Sequence, residues 1–69
     1  MLIAFIGGGN MASALISGLA NPPRSDLRIR VVDPDDAARA RLHNTFEVSV
    51  FTDQETIGAI QGADVILLA

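Results

Sequence analysis

Three consecutive glycines, Gly7 to Gly9, constrain this chain more than any other feature, because of what flanks them. Before them runs the all-apolar segment Leu2-Ile3-Ala4-Phe5-Ile6; after them, Met11 to Leu19 carries apolar residues at helical spacing. The order is strand, glycine turn, helix, with a G-x-G-x-x-A pattern at Gly7, Gly9 and Ala12. Gly7 permits a tight turn, Gly9 lets a pyrophosphate approach the backbone, and Ala12 lets the helix pack closely on the strand. The unpaired N–H groups and positive end of the helix can then hold phosphate charge without a basic side chain. The spacing alone is a weak signal, and the strand before it and the helix after it make it informative.

At 69 residues the chain is one small domain at most. A chain of this size buries only about 60% of the surface its unfolded form exposes, so its stability is marginal. Hydrophobic residues make up 49% and charged residues 19%, a globular rather than a disordered balance. The net charge of −3 argues against a nucleic-acid surface but not against a phosphate held at a helix start. There are no cysteines, which excludes disulfide scaffolds and cysteine-rich metal sites. No basic region precedes the first apolar run, and Gly7 to Asn10 interrupts it early, unlike a signal peptide. No segment approaches the roughly 18 apolar residues of a membrane span. A soluble cytoplasmic protein is the expectation.

Leu2 to Ile6, apolar on both faces, reads as a central parallel strand covered on both sides. The helix after the glycines carries Met11, Leu15 and Leu19, with Ala12 and Ile16 beside them, and Pro22 and Pro23 end it. Leu27, Ile29 and Val31 alternate with Arg28 and Arg30 in a second strand through Val32, less covered at its leading end. Asp33-Pro34-Asp35-Asp36 starts the next helix, with proline suited to the first helical position, and the helix runs to about Asn44. Glu47 to Phe51 forms a short third strand, and Thr52-Asp53-Gln54-Glu55 has the pattern of a capping box ahead of a helix that Gly62 ends. Asp64 to Ala69 is a fourth strand, apolar after its first residue. The result is an α/β chain of four parallel strands in the order 3-2-1-4, joined by helical crossovers. A ligand belongs at the carboxyl ends of the strands, beside the glycine turn. An apolar strand at the edge is an association hazard, and the sequence reads as the first part of a longer protein.

Asp33 follows the second strand near the expected offset of about 20 residues, where an acid accepts hydrogen bonds from the adenosine ribose and favours NAD(H). The same residue can cap the helix ahead of Pro34, with Asp36 completing the box. Arg39 and Arg41 can meet a ribose 2′-phosphate if they reach back, although a solvated helix face is the favoured reading. Asp53 reads as a first-turn acid and His43 as a surface residue, while Phe5, Phe46 and Phe51 are core candidates. No catalytic constellation and no metal site emerges.

The run Ile3-Ala4-Phe5-Ile6-Gly7-Gly8-Gly9-Asn10-Met11-Ala12, continued by Ser13-Ala14-Leu15-Ile16-Ser17-Gly18-Leu19, resembles the amino-terminal signature of pyrroline-5-carboxylate reductases. Asn10-Met11-Ala12 and the Ala-Leu-Ile-x-Gly-Leu tail go beyond the general Rossmann fingerprint. Ala63 to Ala69 is similar to the family's fourth strand, which runs on into Val-Lys-Pro. The likeness spans the chain, is densest at its two ends and covers about the first quarter of a typical member. It implies an enzyme that passes hydride from NADPH or NADH to the ring imine of 1-pyrroline-5-carboxylate, giving L-proline. It also implies a carboxyl-terminal helical domain holding the substrate pocket and building the homo-oligomer. Residues 1–69 are then a partial dinucleotide-binding domain, inactive alone. By the same likeness, Ile6, Gly7, Gly8, Gly9, Asn10 and Met11 wrap the pyrophosphate and neighbouring groups. Asp33, Pro34 and Asp35 meet the adenosine ribose and any 2′-phosphate, Asp53 falls near the adenine side, and Ala69 begins a turn bordering the cofactor. Many members place Ser, Asn or Arg around the position of Asp33. A carboxylate there repels a 2′-phosphate, so the expectation is dual cofactor use with NADH better tolerated than usual.

Three other readings compete. One is the nucleotide-binding half of another reductase, of the coenzyme F420-dependent NADP oxidoreductase or 3-hydroxyacid dehydrogenase type. Another is a non-catalytic nucleotide-sensing module, which lacks the Asn-Met-Ala extension. In the third the isolated segment binds nothing appreciable and associates through its open sheet edge.

Overall fold

The computed structural model describes residues 1–20 and 24–69; the helix-ending role assigned to Pro22 and Pro23 falls outside them. The elements follow in the order β1 (Leu2–Ile6), α1 (Asn10–Ala20), β2 (Arg28–Val32), α2 (Asp36–Phe46), β3 (Ser49–Phe51), a 3-10 turn (Asp53–Glu55), α3 (Thr56–Ile60) and β4 (Val65–Leu68). All strands pair in parallel in the order β3-β2-β1-β4, the arrangement that the strand and helix periodicities imply.

Side chains alternate across each strand, so the sheet presents two faces. One face carries Ile3, Phe5, Val31 and Val48, which form the main core with Ala12 and Ile16 of α1 and Leu42 of α2. Phe5, Ile16, Leu42 and Val31 are the largest fully buried side chains. Truncating Leu42 to alanine removes buried area and leaves a cavity, a loss of about 2–5 kcal/mol. On the other face Leu2, Ala4 and Val32 are buried, as is Ala59 of the short α3. Arg30 sits in β2 without an acid partner among the described residues, and its guanidinium donates to the carbonyls of Ala59 and Gln61. It thus occupies orphan acceptors at the end of α3, where a cation also suits the helix dipole.

Four details depart from the sequence expectation. Pro34 is not the first helical residue and Asp33 is not the cap. Asp35 is the N-cap, in extended backbone (φ −86°, ψ 121°), and its carboxylate accepts from the Ala38 N–H. The reason is local: Asp33 turns its carboxylate toward other backbone groups, including the Asp35 N–H at 2.8 Å, and this Asx-type turn postpones the helix. At its far end α2 passes Asn44 and runs to Phe46, and Glu47 closes it in the left-handed conformation (φ 58°). Glu47 therefore cannot extend β3, which begins at Ser49. The helix after Thr52 opens with a 3-10 turn; its last residue is Ile60, and Gly62, just past the cap at φ +76°, ends it as expected. Finally, β4 is apolar but not covered: Val65, Ile66 and Leu68 are exposed, Leu68 by 82%.

Candidate functional site at the glycine turn

Parallel pairing brings the carboxyl ends of β1, β2 and β4 to one edge, with Ile6 in register with both Val32 and Leu68. The ladders continue one residue further. The Gly7 N–H donates to the Val32 carbonyl at 2.8 Å, and the Ala69 N–H donates to the Ile6 carbonyl at 2.9 Å. Gly7, Asp33 and Ala69 therefore meet at one spot.

The three glycines face three different surroundings. Gly7 has φ +108°, a region open to glycine and hostile to other residues, and a Cβ there would collide with the Ala69 carbonyl. Gly8 is buried, and a Cβ on it would lie 2.8 Å from Leu42 Cδ1 and 3.2 Å from Asp33 Oδ2. Leu42 is fully buried and has little room to give way. Gly9 is exposed, and a Cβ there would meet nothing within 4 Å. The backbone thus turns its closely packed side to α2 and its bare side to open space.

That bare side leads into α1. The first N–H groups of a helix have no partner within it. Gly9, just ahead, has no side chain to cap them, and the first turn of α1 holds no acid. Asn10 and Met11 are exposed there, while Ala12 is fully buried and lets the helix approach the sheet. The Ser13 hydroxyl oxygen, one residue further, is buried and finds no hydrogen-bond partner among the described residues. A row of N–H donors with no side-chain acceptor among the described residues, at the positive end of an eleven-residue helix, can bind an anion with two or more oxygens. Open space at Gly9 gives such a group access to the backbone, so the residues present fit a dinucleotide pyrophosphate.

Asp33 is the hub on the other side. Its Oδ2 accepts from the Gly8 N–H at 2.7 Å, its Oδ1 from the Asp35 N–H, and its carbonyl from Arg39 at 2.6 Å. Arg39 is also paired with Asp36. Arg41 donates to the Gly8 carbonyl at 2.9 Å. Both therefore reach back to the strand ends, Arg39 partly buried and Arg41 still exposed as the solvated-face reading has it. Helical spacing carried a signal for this, since the two arginines flank the buried stripe formed by Ala38 and Leu42.

Of the residues singled out from the sequence, Ile6 to Met11, Asp33 and Ala69 come together. Pro34 and Asp35 lie beside them and are exposed, with the Asp35 carboxylate committed to its helix. Asp53 follows the end of β3, and its carbonyl accepts from the Thr56 hydroxyl. Nearby, Glu55 accepts from the Thr52 N–H and hydroxyl, the N–H being the stronger influence, and both hold its pKa below the usual glutamate value. His43 is exposed, with Nδ1 3.2 Å from the Val48 carbonyl. A hollow of about 440 Å³ opens at the opposite edge, among Leu19, Leu27, Arg28, Phe46 and Ser49, and neither the glycine turn nor Asp33 lines it. Among the described residues no cluster suited to a metal ion occurs, and no helix is long and apolar enough to cross a membrane.

The family model described as "NADP oxidoreductase coenzyme F420-dependent" matches residues 2–69. Pyrroline-5-carboxylate reductase of Haemophilus influenzae is 44% identical over 68 residues, covering 99% of this chain and 24% of that protein. The enzyme of the same name from Pseudomonas aeruginosa is 39% identical over 67 residues, covering 97% of this chain and 24% of that protein. A third, from Pasteurella multocida, is 42% identical over 71 residues, covering 97% of this chain and 25% of that protein. The chain spans about a quarter of the length of the curated relatives it matches.

Proposed function

The chain belongs to the NADP oxidoreductase family just described and is homologous along its whole length to pyrroline-5-carboxylate reductases; on that footing we propose that it is the cofactor half of such a reductase. The parent enzyme reduces 1-pyrroline-5-carboxylate to L-proline. When bound, NADPH or NADH supplies the hydride. The residues of this chain hold the dinucleotide, and the groups that bind and protonate the substrate lie outside it.

One observation carries the reading: the start of α1 is uncapped and faces open space at Gly9. The backbone N–H groups of that start receive the pyrophosphate, Gly7 keeps the turn tight against Ala69, and Asp33 borders the adenosine ribose. Three acids, Asp33, Asp35 and Asp36, disfavour a 2′-phosphate at this edge, and Arg39, which reaches both Asp33 and Asp36, offsets them in part. The outcome is dual use, with NADH accepted better than is usual in this family.

Titration of the chain with NADH and NADPH by calorimetry tests the binding. The expected result is weak binding of both, with affinities within about a hundredfold of each other. No binding of either dinucleotide overturns the proposal. The family description also names coenzyme F420, so the parent enzyme is to be assayed with both 1-pyrroline-5-carboxylate and a deazaflavin acceptor. Turnover of the deazaflavin alone transfers the assignment to that second reading.

A further inference from the structure

Gly8 is held on both sides of its Cα by residues distant in sequence. Its N–H donates to Asp33 Oδ2 at 2.7 Å, and its carbonyl accepts from the Arg41 guanidinium at 2.9 Å. These bonds act on two successive peptide planes. Asp33 fixes the plane between Gly7 and Gly8, and Arg41 fixes the plane between Gly8 and Gly9. In a trans peptide the N–H points opposite to the C=O of the same plane. Drawing the Gly8 carbonyl toward Arg41 therefore turns the Gly9 N–H the other way, off the buried side of the turn. Gly9 is the glycine whose surroundings are open.

Three glycines in a row have more backbone freedom than any other tripeptide, and a ligand that had to order them would lose affinity by that amount. We propose that Arg41 is a positioning residue for the dinucleotide: with Asp33 it clamps the Gly8 peptides and aims the Gly9 N–H at the pyrophosphate before the cofactor arrives. This rests on the nucleotide-binding reading and adds a specific consequence. The clamp serves the pyrophosphate, which NADH and NADPH share. Loss of Arg41 lowers both affinities together and leaves their ratio unchanged. A guanidinium that instead contacted the 2′-phosphate would weaken NADPH alone. Asp33 holds the other peptide of the same clamp, so replacing it impairs both cofactors even as it removes a charge that repels a 2′-phosphate.

The test compares wild type, Arg41→Ala and Arg41→Lys in the 69-residue chain, with NADH and NADPH as probes in calorimetry. Amide exchange at Gly8 and Gly9 is followed by NMR with no ligand present. Arg41→Ala is expected to weaken both dinucleotides about five- to tenfold, the scale of one ordinary net hydrogen bond. Lysine restores part of the loss, because it can still donate to the Gly8 carbonyl. The Gly8 and Gly9 amides exchange faster in Arg41→Ala while the thermal midpoint changes little. Selective loss of NADPH, or a lowered midpoint with unchanged affinities, overturns the clamp. So does unaltered exchange at Gly8 and Gly9, which is read without any ligand. Failure of the wild type to bind either dinucleotide strikes the functional reading itself, and with it the role assigned to Arg41.

Discussion

The helices α1 and α2 begin side by side at the same edge of the sheet, yet in opposite states. The start of α2 is saturated by its own side chains: Asp35 caps it, Asp36 sits in its first turn, and Asp33 ties down the residue before it. The start of α1 has none of this, since Gly9 precedes it and its first turn holds no acid. A helix start left without partners in a small domain gives up about 1 kcal/mol that a cap would supply. The contrast teaches where an anion can go. It also separates stability from binding, because each junction can be altered without touching the other.

The largest effect is expected from giving α1 the cap that α2 has. In Gly9→Asp the new Cβ meets nothing within 4 Å, and the φ of Gly9 is not in the left-handed region. The new carboxylate occupies the free N–H groups and repels a pyrophosphate. Affinity for NADH and NADPH should fall at least about a hundredfold, while the thermal midpoint holds or rises. Binding within about threefold of wild type erases the distinction between the two helix starts. Gly8→Ala probes the packed side of the same turn. Its methyl group presses on Leu42 and Asp33, and a loss of about 1–3 kcal/mol in urea unfolding is expected. Gly9→Ala, its control, should stay within about 0.5 kcal/mol of wild type. Equal losses at the two positions would mean that the turn has no packed and open sides.

Local patterns made much of this legible before any coordinates. The boundaries of β1, the glycine turn and the strand order all follow from periodicities of two and 3.6 residues and from short connections. What escaped was contact between distant residues. Gly8 occupies the unspecified position of the motif, and its need to be small comes from Leu42, on another helix. Asp33 and Arg41 reach it across 25 and 33 residues, and no local pattern encodes such a reach. The fourth strand shows the opposite limit. Its sequence is as apolar as that of β1, yet β1 finds cover on both faces within the chain and β4 does not. An apolar run reports that a strand is suited to burial, and the covering layer must be supplied by something else.

A smaller effect is expected at the saturated start. Asp35→Ala removes the cap of α2, an expected loss of about 1 kcal/mol in urea unfolding, with dinucleotide affinity unchanged. A parallel loss of affinity would show that the two junctions are coupled, through Asp33, more tightly than their hydrogen bonds suggest.

The smallest effect belongs to the third start at this edge, where Glu55 accepts from Thr52. Its pKa is lowered, first by the Thr52 N–H and then by the hydroxyl, so the folded state favours the carboxylate form. For such a group the stabilisation is fully present above the usual glutamate pKa and is lost as pH falls through the lower, folded value. Glu55→Gln keeps an acceptor oxygen but removes the charge. Its thermal midpoint should lie slightly below that of wild type near neutral pH, and the gap should close as both proteins are taken below the glutamate range. Glu55 is exposed, so added salt should narrow the part of the gap that comes from charge. A gap that widened in acid would mean that the protonated carboxyl is the better partner for Thr52. The third start would then resemble α1 more than α2.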